Sequence, residues 1–100
     1  MALPDRDSKL AHRLVEEEGA LLLDVRSEAE YQEKHLDGSV LIPHIELAGR
    51  IDEVLKAQDG DKSKPIVVFC RRGGRADTAK QVLLQNGFTK VTNLGSINDW

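Results

Sequence analysis

The chain holds one cysteine, Cys70, and it stands between two segments of different character. Before it runs Pro65-Ile66-Val67-Val68-Phe69, the most apolar stretch of the sequence, short and β-branched as a central strand is. After it comes Cys70-Arg71-Arg72-Gly73-Gly74-Arg75, then Ala76, Ala79, Val82 and Leu83 at helical spacing. Cys70 therefore sits at a strand-to-helix turn, the place where open α/β sheets bind ligands. Gly73 and Gly74 let the backbone curl so that successive amides point inward as an anion-binding nest, and the following helix adds its positive end. A thiolate in that cradle, flanked by guanidinium groups, is a nucleophile suited to an anionic substrate.

Charge balance agrees. The formal charge is −3, and setting aside Arg71, Arg72 and Arg75 leaves 11 basic against 17 acidic side chains, a remainder of −6. Positive charge is thus focused on one loop of an acidic protein. The competing view, a small buried thiol closing a strand beside solvated arginines, explains each residue singly. It does not explain why cysteine, two glycines, three arginines and a helix start coincide in one short segment.

Other polar residues read as support. Asp24, Arg26 and Glu30 form a structural cluster near the loop rather than a second reactive centre. His12 falls on a polar helix face, His35 follows a helix and can bond a backbone carbonyl, and His44 lies in a turn after Pro43. These histidines have no matched Cys, Asp or Glu spacing, so no metal ligand set and no cofactor is expected. Trp100 is assigned to core or rim packing.

The elements that must position Cys70 follow from periodicity. Asp7 or Ser8 can cap a helix with Leu10, Ala11, Leu14 and Val15 on one face, ended by Gly19. Ala20 to Val25 is apolar except for Asp24, as in a strand buried on both faces. Ser27-Glu28-Ala29-Glu30 is a capping box opening a short helix that contains Tyr31. Ser39 to Pro43 reads as a short strand beyond Gly38. A helix carrying Leu47, Ile51, Val54 and Leu55 follows, and Gln58 to Lys64 reads as a surface loop without core residues. Beyond the cysteine loop, the helix ends near Asn86-Gly87, and Lys90 to Asn93 forms a last strand. Strands alternate with helices throughout, which predicts an α/β domain with a small, mostly parallel sheet of four to five strands flanked by helices.

With 100 residues, the chain is read as one domain, residues 1–100. Hydrophobic residues at 40% and charged residues at 31% describe a soluble globular protein, not a disordered or nucleic-acid-binding one. No apolar stretch nears the roughly 20 residues that cross a bilayer, and MALPDRDSKL lacks the apolar middle of a secretory signal. Cytoplasmic residence is expected, or periplasmic residence if a leader has been removed.

Three stretches resemble the rhodanese family, and the resemblance spans about Ser8 to Trp100. Leu22-Leu23-Asp24-Val25-Arg26-Ser27 through Glu30-Tyr31 is similar to the first family signature, and His35-Leu36-Asp37-Gly38-Ser39 with Ile42-Pro43 to the second. The third runs from Val67-Val68-Phe69-Cys70 through Arg75-Ala76, then Leu83-Leu84, Gly87-Phe88, Val91 and Asn93-Leu94-Gly95. Lys34, Asp37, Ser39 and Ser96 depart from the usual residues without touching the nucleophile, and a first edge strand before the Ser8 helix is not evident. The resemblance implies a rhodanese-like fold and a single-domain, thiosulfate-using sulfurtransferase of the phage-shock type. It also implies that Cys70 carries a sulfane sulfur as a persulfide, taken from a small anionic donor such as thiosulfate and passed to cyanide or a thiol. Loop amides from Arg71 to Arg75 would steady the persulfide, with Arg71 and Arg75 on the sulfonate and Arg72 either on the donor or steering anions from solvent.

Two other functions stay open at this point. Related phosphatases and arsenate reductases place one more residue between cysteine and arginine; here four residues separate Cys70 from Arg75, which by resemblance suits sulfur rather than a phosphate-like oxyanion. A rhodanese-like binding or persulfide-carrier module is the non-enzymatic alternative, although such modules often lack the cysteine.

Overall fold

A computed structural model describes residues 3–100; Met1 and Ala2, which the expected domain 1–100 includes, lie outside the described residues. Helix α1 (Ser8–Glu18) starts where Asp7 Oδ1 accepts Leu10 N at 3.0 Å and stops at Gly19, whose φ of +67° lets its amide turn back to Leu14 O. Strand β1 (Leu21–Asp24) leads into α2 (Glu28–Glu33), opened by the Ser27–Glu30 capping box. Strand β2 (Val40–Leu41) is shorter than the expected Ser39–Pro43 span, because it is an edge strand paired only to the end of β1. The expected helix after it is divided: a 3₁₀ turn at Leu47–Arg50 precedes α3 (Ile51–Ala57).

Strand β3 (Ile66–Cys70) is buried along its whole length, α4 (Gly74–Gln85) follows it, and β4 (Val91–Ser96) runs past the expected end at Asn93 before a closing 3₁₀ turn, Ile97–Asp99. The sheet has four strands in the order β2-β1-β3-β4, all parallel. β1 pairs β3 with Asp24 opposite Phe69, so the carboxyl ends of β1, β3 and β4 converge at the end that bears Cys70. Between β3 and β4 the register slips, Val68 facing Asn93 but Phe69 facing Gly95, so that Leu94 is the extra residue of a bulge. Gly95 takes φ +96° to make that bend, and Asn93 Oδ1 accepts its amide at 2.8 Å.

Alternation along β3 divides the core into two layers. Ile66, Val68 and Cys70 pack with Val54, Ala76, Ala79 and Leu83 on the α3/α4 side, and Val67 and Phe69 pack with Leu10, Ala11 and Leu14 on the α1 side. Sealing Phe69 completely from water contributes on the order of 2–3 kcal/mol. The expected nucleophile therefore hangs from the strand that both layers grip.

One expectation fails at Gln58, assigned to a surface loop without core residues. Gln58 is 2% exposed, and its Nε2 donates to Lys64 O at 2.8 Å and Pro65 O at 3.3 Å. Lys64 O, at the end of the loop, accepts this buried side-chain amide, and Pro65 O accepts it in addition to the Leu21 amide at 3.0 Å from the neighbouring strand.

The segment before α1 makes no strand among the described residues, yet it covers the open edge of β4. Thr92 Oγ1 donates to Pro4 O at 2.6 Å, Asn93 N to Asp5 Oδ1 at 2.9 Å, and Arg6 N to Asn93 O at 2.7 Å. Lys80, buried on α4, ties the same segment through Asp5 Oδ1 at 2.6 Å and Leu3 O at 3.0 Å. At the other end of the chain His12 stacks on Trp100, ring centroids 3.6 Å apart, and His35 Nδ1 lies 3.0 Å from Tyr31 O.

Candidate functional site

Cys70 closes β3, and its side chain is almost sealed at 1% exposure. The three residues after it bend back so that Gly73 N donates to Cys70 Sγ at 2.8 Å. Gly73 makes this possible with φ +108°, a conformation that costs other residues dearly, and then serves as the residue before α4. Gly74 differs from it: it takes the first helical position without a positive φ, and a Cβ there would meet nothing within 4 Å. Of the two glycines, only Gly73 has a geometric reason to be glycine. The first turn of α4 begins directly at the sulfur-facing loop, with Asp77 N bonded to Gly73 O at 2.8 Å, so the positive end of the helix lies beside Cys70.

The three arginines of the loop take different positions. Arg71 and Arg72 are exposed, and with Cys70, Gly74 and Arg75 they line a pocket of about 340 Å³. Arg71 also borders a polar pocket of about 230 Å³ on the α2 side, lined by Arg26, Glu30, Glu33, Lys34, Ile97 and Asn98. Arg75 is half-buried and grips Glu30 with both terminal nitrogens, at 2.6 Å and 3.0 Å. Those hydrogen bonds, joined by others from Ser27, hold the Glu30 carboxyl down at about 2, well below its ordinary value of 4.5, and the same pair raises the guanidinium of Arg75. Arg75 is thus tied to α2, leaving Arg71 and Arg72 as the loop guanidiniums without an ion pair among the described residues.

Asp24 and Arg26 bond to each other rather than to Glu30, but the two pairs are neighbours: Arg26 and Glu30 line one pocket, and the Asp24 charge helps raise the pKa of the Arg75 guanidinium. Asp24 is fully buried and accepts Arg26 N and Nε, each at 3.0 Å, and Nη2 at 2.7 Å; Nη2 also donates to Lys34 O at 2.6 Å. This pair pins the exit of β1 to the end of α2, the helix that delivers Glu30 to Arg75. Breaking either half would leave a buried charge without its partner.

Asn93 was not singled out from the sequence, yet it underlies the loop. Wholly buried, it donates from Nδ2 to Gly73 O at 3.2 Å and to Asp77 Oδ1 at 2.6 Å, while its Oδ1 accepts Gly95 N. The residue whose amide faces Cys70 is therefore clamped from below by β4. Asparagine is depleted in strands, so its presence beside Val91 and Thr92 is the signal that marks it. The arrangement as a whole offers a buried sulfur, an amide on that sulfur, a helix terminus and two open cations at the mouth of a solvent-facing pocket, a site for attack on an anion.

The chain matches the rhodanese-like domain family model over residues 7–100. It is 34% identical over 77 residues to the thiosulfate sulfurtransferase PspE of Escherichia coli, covering 77% of this chain and 70% of that protein. It is 30% identical over 91 residues to the thiosulfate sulfurtransferase GlpE of Coxiella burnetii, covering 90% and 79% respectively. Among solved structures it is similar to a rhodanese with anions from E. coli, with a TM-score of 0.72 and 32% identity over 81% of this chain and 91% of that one.

Proposed function

We infer that this chain, which belongs to the rhodanese family, uses Cys70 as the sulfur carrier of a thiosulfate sulfurtransferase. The observation that carries this reading is the placement of Cys70 Sγ, 2.8 Å from the Gly73 amide and at the wall of the pocket that Arg71 and Arg72 line.

The first half-reaction is attack by the Cys70 thiolate on the outer sulfur of thiosulfate. A bond forms between Sγ and that sulfur, the sulfur–sulfur bond of the donor breaks, and sulfite leaves with the electron pair. One anion and one dianion become a persulfide anion and the sulfite dianion, so charge balances without any redox partner. Arg71 and Arg72 face the sulfonate end, and the Gly73 amide with the α4 terminus steadies the charge on sulfur. In the second half-reaction cyanide or a thiolate attacks the terminal sulfur, and Cys70 leaves as thiolate. Arg75 acts through the backbone: its pairing with Glu30 holds the end of the loop against α2.

Four loop residues between Cys70 and Arg75 support sulfur over phosphoryl transfer, and retention of the cysteine supports turnover over a binding role. The test is intact-mass measurement after incubation with thiosulfate. One added sulfur, removed by cyanide or dithiothreitol and never acquired by Cys70→Ala, is the expected result. Folded wild-type protein that gains no sulfur, or aryl phosphate hydrolysis lost in Cys70→Ser without sulfur transfer, overturns the reading.

A further inference from the structure

A cation from outside the cysteine loop reaches it. Arg6 lies in the segment that covers β4, held there by its own amide on Asn93 O at 2.7 Å. Its backbone adopts φ +57°, an uncommon conformation for a residue with a side chain, and its guanidinium lies against two glycines of the site. A Cβ on Gly73 would collide with Arg6 Nη2 and lie 3.0 Å from Arg6 Cζ; a Cβ on Gly95 would lie 2.6 Å from Nη1. Gly73 N is 2.8 Å from Cys70 Sγ, and with the glycine's own bonds of about 1.5 Å each the charge centre of Arg6 lies within about 9 Å of the sulfur.

No ion pair engages Arg6 among the described residues, and the Asp99 carboxylate that also borders Gly95 accepts the Ser96 amide at 3.1 Å. Arg75, the loop's own third arginine, is paired with Glu30. Arg75 still faces Cys70 closely enough for the two charges to interact, but part of its field is offset by Glu30, so Arg6 adds to Arg71 and Arg72 a cation that comes from outside the loop. An approaching dianion meets a sulfur that is itself anionic, and the field of these cations offsets that repulsion.

We propose that Arg6 is an anion-positioning residue of the sulfur-loading half-reaction, a cation delivered to the cysteine loop by the segment that covers β4. The proposal rests on the sulfur-transfer reading above. It assigns Arg6 no contact with the reacting atoms; it acts through the field at the donor and through the space it occupies beside Gly73 and Gly95. A separation comparable to the Debye length of about 8 Å at physiological ionic strength makes the effect salt-sensitive.

The test compares wild type with Arg6→Gln, Arg6→Lys and Arg6→Glu in single-turnover loading by thiosulfate, read by intact mass, at low and high ionic strength. Arg6→Gln is expected to slow loading by about threefold to tenfold at low salt and to differ little from wild type at high salt. Arg6→Glu should slow it further and Arg6→Lys should recover most of the rate, while discharge of the loaded persulfide by dithiothreitol, whose attacking thiolate carries one negative charge against the two of thiosulfate, should change by less than loading does in each variant. Loading by Arg6→Gln equal to wild type at low salt overturns the proposal. So does a deficit that salt does not change or that lysine does not rescue, which would assign Arg6 a packing role only. If Arg6→Gln does not fold, the order of Arg6→Lys above Arg6→Glu at low salt decides the matter in the same way. Failure of wild type itself to load sulfur removes the underlying reading, an outcome distinct from wild-type loading that Arg6 does not influence.

Discussion

Glu30 and Arg75 lie 45 positions apart in sequence and meet through two hydrogen bonds, Nη1 to Oε1 at 2.6 Å and Nη2 to Oε2 at 3.0 Å, closing α2 against the end of the cysteine loop. The pair gives the protein a defined acid response. Glu30 titrates at about 2 when folded against 4.5 when free, so its contribution is fully present above 4.5 and is lost as the pH falls through 2. Because both side chains are partly exposed, at 25% and 32%, that contribution is about 1–2 kcal/mol rather than the full value of the shift. Glu30→Gln should flatten the stability profile between pH 5 and pH 2 relative to wild type, measured by urea denaturation at stepped pH, and should leave Arg75 free to compete for the donor.

The two loop glycines should respond oppositely to alanine. Gly73→Ala forces a side chain into φ +108° and against Arg6, so it should cost about 2–4 kcal/mol and displace the amide facing Cys70. Gly74→Ala, in a helical position with open space around it, should be neutral or stabilising by about 0.5 kcal/mol and should keep sulfur loading near the wild-type rate. Equal losses in the two variants would contradict this division.

Asn93→Ala removes the donor to Gly73 O and Asp77 Oδ1 and the acceptor of Gly95 N in one step, leaving buried groups unpaired. A loss of about 2–4 kcal/mol in chemical denaturation is expected. Among molecules that remain folded, sulfur loading should slow while the salt dependence of loading stays that of wild type, since the cations are unchanged.

His12 should act as a reporter of the docked C-terminus. Its hydrogen bond to Trp100 O, and after it the one to Glu16, raise its pKa above 6.5. The stabilisation is therefore complete below the unfolded value and fades as pH rises through the folded one. An NMR titration should give a higher midpoint for His12 in wild type than in a Glu16→Gln variant.

The sequence by itself determined the parts of this protein that depend on short range. Asp7 and Gly19 bound α1, Ser27 and Glu30 open α2, and a β-branched run followed by glycines puts Cys70 at a strand end before a helix; each partner lies within a few residues of the other, so chain order alone is enough. The tertiary structure decided the partners across long separations. Arg75 has five donors and several acidic residues it could meet, and only the stacking of α2 beside the loop selects Glu30. Asn93 reaches Gly73 because the bulge at Leu94 sets the register of β4 against β3, a geometric fact that no residue pattern states. Gln58 reads as a loop residue until the chain closes over it, and Arg6, to which no pattern in the sequence gives a role, stays exposed in the fold but is set by β4 beside the cysteine loop. Local backbone preference named the nucleophile; packing decided which charges surround it.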